Sequence, residues 1–336
     1  MELPPDQDSF ATFQREYLSP LKVFYCQAFF QWQARPTSSN KTNTAPDSVS
    51  NIVDLIKRAK LKEQMPIAKK GMAVMSNPLD FTGKVVLVTG GGKGAGKGIS
   101  ERFLQQGAHV VICGRQEPDN LPSAIIPEGN HNTAVFFPCD VRDLEQIDQL
   151  IGSTIKQFGR LDVLVNNAGG APNADAATVS PRFSESIIRL NLIAPLNLCQ
   201  KANAVMQEQA EGGIIINICS VSAKRPSPGT AAYGAAKSGL LNLTQSLAVE
   251  WAPKVRVNAV TAGLILTEQA HLHYGDEEGI ASVARTVPLQ RLATPSDIGD
   301  TCLYLASPLS SYVSGADITV HGGGEKPAFL NAAENT

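Results

Sequence analysis

The sequence predicts an α/β fold: a doubly wound, mostly parallel seven-stranded sheet with helices on both faces. From about residue 79 onward, short runs of apolar and β-branched residues alternate with longer segments of helical periodicity. Near-continuous apolar strands are typical of a parallel sheet that is covered on both sides. A glycine-rich turn directly follows the first strand, as in a βαβ unit. These observations place the ligand site beyond the carboxyl ends of the strands.

The predicted elements alternate along the chain. Strands are expected near residues 84–89, 109–114, 133–138, 161–166, 213–219, 255–260 and 316–320. Helices are expected near residues 97–106, 143–157, 182–208, 231–252 and 295–306. Between the second and third strands, Pro118, Pro122 and Pro127 predict that the helix is short or absent, because proline removes a backbone donor and clashes with the preceding turn.

The first strand, Lys84-Val-Val-Leu-Val-Thr89, leads into the turn Gly90-Gly-Gly-Lys-Gly-Ala-Gly96. Glycines there allow the backbone to approach a pyrophosphate at a helix N-terminus. A P-loop is the rival interpretation, since Gly91-x4-Gly96-Lys97 is one residue short of that motif. A P-loop needs Ser or Thr after the lysine to hold magnesium, but this chain has Gly98, and Ser100 comes two positions too late. The turn therefore favours a dinucleotide.

A second motif, Tyr233-Gly-Ala-Ala-Lys237, follows Ser220 by thirteen residues. Residues four apart on a helix share a face, so we expect the Lys237 ammonium to favour the Tyr233 phenolate and to lower the pKa of the phenol. Ser220 could hold a substrate oxygen beside that phenol. Cys219 is a rival nucleophile, but strand alternation places its side chain on the face opposite Ser220.

Taken in order, these motifs resemble the short-chain dehydrogenase/reductase family in its compact, single-domain form, over about residues 79 to 323. The matching segments are Thr89-Gly-x3-Gly-x-Gly96, Asp140-Val141, Asn166-Asn-Ala-Gly169, Arg189-Leu-Asn191-Leu, Asn217-Ile-Cys-Ser220, Tyr233-x3-Lys237, Arg256-Val-Asn-Ala-Val260 and Ala262-Gly-x3-Thr267. Ala262 departs from the family, which usually has proline there. That change loosens a turn near the nicotinamide but removes no chemical group.

The resemblance implies a Rossmann-type domain that transfers a hydride between nicotinamide C4 and a carbonyl or carbinol carbon. Tyr233 would be the acid/base, and Ser220 would hydrogen-bond the reacting oxygen. Lys237 would favour the tyrosinate and bind the nicotinamide ribose. Asn191 would hold a water on a proton path to Lys237; the alternative is a buried helix asparagine that satisfies backbone groups. A catalytically silent NAD(P)-binding sensor or scaffold is the competing class, and such a protein is expected to lack Tyr233, Lys237 or Ser220.

The charged residues near the end of the second strand predict which cofactor is preferred. The second strand ends in Cys113-Gly-Arg115, without the acid that would bind the ribose of NAD. Arg115 and Lys93 instead suit a 2′-phosphate, so NADP(H) is favoured. NAD(H) remains possible, because a shift of the loop could bring Glu117 to the ribose. The predicted cofactor-binding residues are Gly90, Gly92, Lys93, Gly94, Ala95, Gly96, Arg115, Asp140, Val141, Asn167, Ala168, Gly169, Tyr233, Lys237, Gly263, Ile265 and Thr267.

The substrate stays open at this level. Residues 170–175 and 268–285 should line the entrance, with His271-Leu-His273 in a presumed loop. Lys224 and Arg225 could meet the phosphates of an acyl-CoA or carrier protein, or could be solvated surface cations. A 3-oxoacyl thioester, a steroid-like or other cyclic ketone, and a sugar or polyol all remain as small-molecule candidates.

Composition excludes several other classes. The formal net charge of -2 and the absence of a basic stripe argue against a nucleic-acid partner. No apolar run approaches the 18 or so residues of a membrane helix. Six cysteines without a CxxC pair indicate a reducing compartment, taken to be the cytoplasm, and five histidines show no metal-ligand spacing, so no metal is expected.

The chain divides into three predicted regions. Residues 1–75 lie outside the family pattern and are either an extension, partly disordered, or the product of a start codon assigned too early, with Met72 or Met75 the true beginning. Residues 76–326 form the predicted catalytic domain, and residues 327–336 form a tail.

Apolar residues on more than one face of helices 182–208 and 231–252 predict a homodimer or homotetramer. They are Leu190, Leu192, Ile193, Leu196, Leu198, Leu240, Leu241, Leu243 and Leu247.

Overall fold

The computed structural model describes residues 77–126, 129–327 and 329–330. The strands are β1 (Val85–Thr89), β2 (His109–Gly114), β3 (Ser123–Ile125), β4 (His131–Thr133), β5 (Val135–Pro138), β6 (Val163–Asn166), β7 (Gly213–Ser220), β8 (Val255–Ala262) and β9 (Asp317–Val320). Seven of them form one sheet in the order β5-β2-β1-β6-β7-β8-β9, with every pair parallel. The predicted fold class is confirmed.

The helices are α1 (Gly94–Gln105), α2 (Leu144–Phe158), α3 (Pro181–Ile188), α4 (Ala194–Glu208), α5 (Ala231–Glu250), α6 (His271–Tyr274), α7 (Glu277–Thr286) and α8 (Pro295–Ala306). A π-helical turn (Arg189–Ile193) joins α3 to α4, and a 3₁₀ turn (Val221–Ala223) follows β7. None of the helices in the described part of the chain is both long and apolar enough to cross a membrane.

The sheet is buried on both faces because successive strand residues point in opposite directions. In β1, Val86 and Val88 pack with Phe103 of α1 and Ile298 of α8, whereas Leu87 belongs to a second core. Residues of α2, α4 and α5 cover that second face, among them Leu150, Leu198, Met206 and Leu247. The strand order reverses between β1 and β6, so the crevice for a ligand opens beyond the carboxyl ends of these two strands.

Helix ends follow the local sequence. The Asp143 carboxylate accepts hydrogen bonds from the Glu145 and Gln146 amides and caps α2, which ends at Gly159 in a left-handed conformation with φ of 75°. Ser180 caps α3, and Pro181 occupies its first turn. Two neighbouring helices on one face of the sheet therefore begin at fixed residues beside the crevice.

Three predicted elements differ from the structure. The single helix expected over 182–208 is divided by the π turn at Arg189–Ile193. Among the described residues between β2 and β5 there is no helix, in agreement with the short or absent helix predicted there, and β3 and β4 form an antiparallel hairpin instead. The third sheet strand starts at Val135 and not at residue 133. The presumed loop around His271 contains α6, followed by α7. Pro127, the proposed region 1–75, and residues 328 and 331–336 of the proposed tail 327–336 lie outside the described residues.

Candidate active site

The glycine-rich turn is shaped by close backbone approaches. Gly90 has a φ of 62°, a conformation that favours glycine. A Cβ on Gly96 would lie 2.3 Å from the Gly90 carbonyl oxygen and 2.4 Å from Nδ2 of Asn167. Asn167 donates from Nδ2 to the carbonyl oxygens of Thr89, at 2.9 Å, and Gly90. The Asn167 side-chain amide therefore stabilises the backbone of the turn.

Two residues of the rejected P-loop pattern have structural roles. A Cβ on Gly98 would lie 2.3 Å from Cβ of Pro295, so glycine at this position lets α1 approach the start of α8. The Ser100 hydroxyl is buried, 3.0 Å from the Gly91 carbonyl oxygen and 2.9 Å from that of Gly96. Neither residue presents a magnesium ligand, which agrees with the dinucleotide interpretation of the turn.

A cavity of about 1020 Å³ opens beside this turn, at the reversal of strand order. A space of this size and a glycine cradle at a helix N-terminus fit a dinucleotide. Of the predicted cofactor residues, the cavity brings together Gly90, Gly92, Lys93, Gly94, Ala95, Gly96, Arg115, Asp140, Val141, Asn167, Ala168, Gly169 and Thr267.

The cavity is lined by charged residues of both signs. Arg115 and Lys93 line it as expected, and so does Glu117. The sequence interpretation missed Arg142, which donates from Nε and Nη2 to Asp140 at 2.9 and 2.5 Å. These hydrogen bonds hold the pKa of Asp140 below its usual value. Its position two residues after Asp140 was the available signal, because a turn at the end of a strand brings such neighbours together.

Four predicted cofactor residues do not line this cavity: Tyr233 and Lys237, which are described below, and Gly263 and Ile265. The Ile265 side chain packs against the hydrophobic core, and its backbone forms a bridge with Ala293. A Cβ on Gly263 would lie 2.7 Å from Cβ of His321, so this glycine admits the segment after β9. Both residues support the backbone that leads to Thr267, which does line the cavity.

Ser220, Tyr233 and Lys237 come together at the ends of β7 and α5. A Cβ on Gly234 would lie 2.9 Å from the Ser222 carbonyl oxygen, so glycine there allows α5 to start against the 3₁₀ turn. The Ser220 hydroxyl lies near enough to the Tyr233 phenol to favour its ionised form. Lys237 is buried, donates from Nζ to the Ile218 carbonyl oxygen at 2.7 Å, and lies 5.8 Å from the centre of the Tyr233 ring.

The direction of the Tyr233 pKa differs from the expectation. Burial raises the pKa of Tyr233 above the usual phenol value, and the nearby Ser220 hydroxyl opposes this rise only in part. Burial also lowers the pKa of Lys237. Desolvation disfavours the charged form of both groups, and it exceeds the predicted effect of the ammonium on the phenol. The Tyr233 phenol is therefore neutral near pH 7.

Asn191 lies in the π turn and is completely buried. Its Nδ2 donates to the carbonyl oxygens of Gly170 and Ile187, both at 3.0 Å, and its Oδ1 accepts from the Gly170 amide at 2.9 Å. This geometry is that of the structural alternative, an asparagine that satisfies backbone groups. A Cβ on Gly169 would lie 2.6 Å from Asn191 Oδ1 and 3.4 Å from Lys237 Nζ, so both residues adjoin the cavity that Gly169 lines.

Cys219, the rival nucleophile considered from the sequence, is unreactive because it is buried. Cys219 is buried with Leu240 and Ala259, on the strand face opposite Ser220. Burial raises the pKa of its thiol to about 12, so little thiolate exists near neutral pH. Among the described residues, no cluster of three or more potential ligands could hold a metal ion.

A small cavity of about 70 Å³ adjoins Tyr233. A Gly229 side chain would overlap Oδ1 of Asn173, and the Ala174 amide donates to the Gly229 carbonyl oxygen at 2.8 Å, which closes this wall. The lining is largely apolar and includes no ionisable group apart from Tyr233. It consists of Ala171, Pro172, Ala174, Ala176, Val179, Phe183, Ser184, Ile187, Gly229, Thr230, Ala231, Ala232 and Tyr233.

The two cations near Ser220 already have partners. Lys224 forms an ion pair with Asp317 at 2.6 Å, and Arg225 forms one with Glu325 at 2.5 Å. Neither is the free cation that a phosphate of an acyl-CoA or carrier protein would require, and neither is simply solvated. Both pairs join the segment after β7 to the segment around β9 and the chain that follows it.

The chain is similar to known oxidoreductases. A family model described as enoyl-(acyl carrier protein) reductase matches residues 90–325. The chain is 34% identical over 243 residues to a 3-oxoacyl-[acyl-carrier-protein] reductase of Thermotoga maritima, covering 72% of this chain and 97% of the relative. It is 33% identical over 242 residues to human dehydrogenase/reductase SDR family member 4, covering 71% and 87%. A ligand-free aldohexose dehydrogenase of Thermoplasma acidophilum matches with a TM-score of 0.66 and 30% identity, covering 73% and 94%.

Proposed function

The chain belongs to the short-chain dehydrogenase/reductase family, and from this membership we propose that it interconverts a carbonyl and a secondary alcohol with NADP(H) as the preferred cofactor. The observation that carries the proposal is the Ser220, Tyr233 and Lys237 cluster, placed against Gly169 of the dinucleotide-sized cavity. The family implies NAD(H) or NADP(H), which supplies or accepts the hydride when bound.

In the direction of reduction, the neutral Tyr233 phenol donates its proton to the substrate oxygen, a role worth roughly 10²–10⁴ in rate. Ser220 hydrogen-bonds the same oxygen and stabilises the charge that develops on it. The buried Lys237 ammonium stabilises the phenolate that remains. Asn191 fixes the π turn beside Gly170, and the proposed water on a proton path would meet backbone carbonyls or the second lone pair of its Oδ1, because both Nδ2 protons are used.

Charge supports NADP(H). Arg115 and Lys93 line the cavity and form no ion pair with any described residue, whereas Asp140 is neutralised by Arg142. A guanidinium matches a 2′-phosphate in geometry and charge. Glu117 lines the same cavity and is the residue through which NAD(H) could be accepted instead.

The apolar lining of the cavity beside Tyr233 favours a substrate that has an apolar group next to its carbonyl carbon. A sugar or polyol would leave several hydroxyl groups unpaired against alanine, valine, phenylalanine and isoleucine, which is costly when they are buried. A 3-oxoacyl thioester or a cyclic ketone fits this lining better. The ion pairs of Lys224 and Arg225 favour the ketone, because a carrier-bound thioester would have to compete with Asp317 and Glu325.

The test is a substrate panel with the full chain. Cyclic ketones, 3-oxoacyl thioesters, polyols and aldohexoses are assayed with NADPH or NADP⁺ and with NADH or NAD⁺, by absorbance of the reduced nicotinamide. We expect turnover of ketones and a higher kcat/KM with NADP(H). Cofactor binding without turnover of any member would favour the silent sensor or scaffold, and the absence of binding would overturn the proposal.

A further inference from the structure

The glycine-rich turn already has an anionic partner within the chain. The Glu268 carboxylate accepts a hydrogen bond from the Gly94 amide at 2.9 Å. Gly94 is the first residue of α1, where the helix N-terminus presents unpaired amide groups. Lys93, the residue before it, provides no side-chain cap, and the first turn of α1 contains no acidic residue. Glu268 therefore supplies from a distant segment the anion that Asp143 supplies locally to α2.

The segment that carries Glu268 is held at both ends. On one side, the Leu266 amide donates to the Ala293 carbonyl oxygen at 2.8 Å. On the other side, Ala270 is buried, and its amide donates to the Thr267 carbonyl oxygen at 3.0 Å. Thr267 lies against the turn as well, because its Cγ2 is 3.6 Å from the position of a Gly94 Cβ. Residues 267–269 therefore cross the mouth of the cavity as a short tethered span.

We propose that Glu268 competes with the phosphates of the cofactor for the Gly94 amide and so lowers cofactor affinity. A pyrophosphate bound at this helix N-terminus would use the same donor. A carboxylate and a phosphate repel each other, so Glu268 has to leave Gly94 before the pyrophosphate is fully bound. This inference rests on the proposed dinucleotide function, and it adds a residue that acts against binding.

Calorimetric titration of the full chain with NADPH and, separately, with 2′-AMP tests the competition. The variants are Glu268→Ala and Glu268→Gln, and Glu277→Gln is the control, with the same charge change on an exposed residue of α7. We expect Glu268→Ala to bind NADPH about three- to tenfold more tightly, as for the loss of an exposed charge-assisted hydrogen bond. The effect of Glu268→Gln should be smaller, because its amide oxygen still accepts.

The 2′-AMP titration separates local competition from a general change in charge. This probe carries the 2′-phosphate without the pyrophosphate, so its Kd should be the same in wild type and in Glu268→Ala. Equal tightening for both probes, or no tightening for NADPH, would overturn the competition. If no protein bound NADPH, the proposed function and this inference would both fail.

Amide exchange supplies a second measurement that needs no ligand. In the free protein, the peptide that contains Gly94 should exchange faster in Glu268→Ala than in wild type, because its amide loses an acceptor. The same peptide should be unchanged in Glu277→Gln. Equal exchange in wild type and Glu268→Ala would show that the hydrogen bond does not persist in solution, and the proposal would fall.

Discussion

Lys237 is positioned before any ligand arrives. Its ammonium is buried and donates to the Ile218 carbonyl oxygen, and the Ser220 hydroxyl lies near the Tyr233 phenol. Burial disfavours ionisation of the phenol, which suits the proton donor that we propose for a reduction. At the residue scale, the proposed chemistry depends on one hydroxyl that can be removed without changing the ring.

Tyr233→Phe should lower kcat by at least about 10²-fold, because the variant lacks the proton donor while its ring still packs. The Kd for NADPH should change less than about threefold, within the range of a near-neutral substitution. The measurement is steady-state turnover with the best ketone of the panel, beside fluorescence titration of NADPH. Tyr312→Phe removes a fully exposed hydroxyl and is the matched control. Turnover within tenfold of wild type would contradict the acid/base role.

Arg115→Ala should raise the Kd for NADPH by about tenfold or more, since a phosphate would lose a charge-assisted hydrogen bond. The Kd for NADH should change little, because that cofactor lacks the 2′-phosphate. Both values come from titration of the same protein samples. Arg182→Ala removes an arginine that does not line the cofactor cavity and should affect neither cofactor. Equal losses for both cofactors would show that Arg115 is not the phosphate ligand.

Motif spacing predicted the positions of Ser220, Tyr233 and Lys237, because strand ends and helix faces follow from local periodicity. It could not predict the sign of the Tyr233 pKa shift, which depends on how completely the fold excludes water. Motif spacing also could not predict the ion-pair partners of Lys224 and Arg225. Asp317 and Glu325 stand more than ninety residues away and meet these cations only after β9 joins the sheet.

At the scale of elements, the start of α8 packs against α1, the helix that follows the glycine-rich turn, and so positions the turn. Pro295, in its first turn, packs where a Gly98 side chain would stand. Thr294 and Asp297 form a capping box, and Arg291 contacts Asp297 through both terminal nitrogens, at 2.7 and 2.9 Å. The hydrogen bonds from Arg291 hold the pKa of Asp297 well below its usual value. The start of α8 is therefore fixed by a charge that depends on pH.

Asp297→Asn should lower the free energy of unfolding by about 1 kcal/mol at pH 7, the usual cost of a lost cap and partly exposed ion pair. A depressed folded-state pKa gives stability above the unfolded value of about 3.9, and this stability is lost as pH falls toward the folded value. The difference from wild type should therefore shrink below about pH 4. Urea unfolding between pH 7 and pH 3.5 measures it, with the exposed Asp119→Asn as control. A difference independent of pH would contradict the charge argument.

Strong periodicity predicted α1, α2, α5 and α8 closely, since each has one face against the sheet. The π turn at Arg189–Ile193 was not visible, because it inserts one residue per turn without breaking the apolar pattern. It brings Asn191 inward beside Gly170. The β3–β4 hairpin was missed because its three-residue strands are too short to show alternation.

Across the described part of the molecule, the sheet covers more of the long helices than expected. Leu198, Leu240 and Leu247 are buried within the chain, and Leu192, Leu241 and Leu243 pack partly against a small core. Of the nine leucine and isoleucine residues predicted to need a partner, only Ile193 is exposed. The large apolar side chains that are exposed on α3, the π turn and α5 are Ile188, Ile193 and Val249.

These residues still predict self-association, because α3, the π turn and α5 pack against one another and each keeps a large exposed apolar side chain. We expect light scattering of the full chain to give the mass of a dimer or tetramer. Val249 is 81% exposed, and Val249→Glu should shift the mass toward the monomer because it introduces a charge into the interface. Ile125, 63% exposed on the β3–β4 hairpin, offers the control, and Ile125→Glu should keep the wild-type mass. A monomeric wild type would refute the interface, and an assembly that survives Val249→Glu but dissociates with Ile125→Glu would move it to the hairpin.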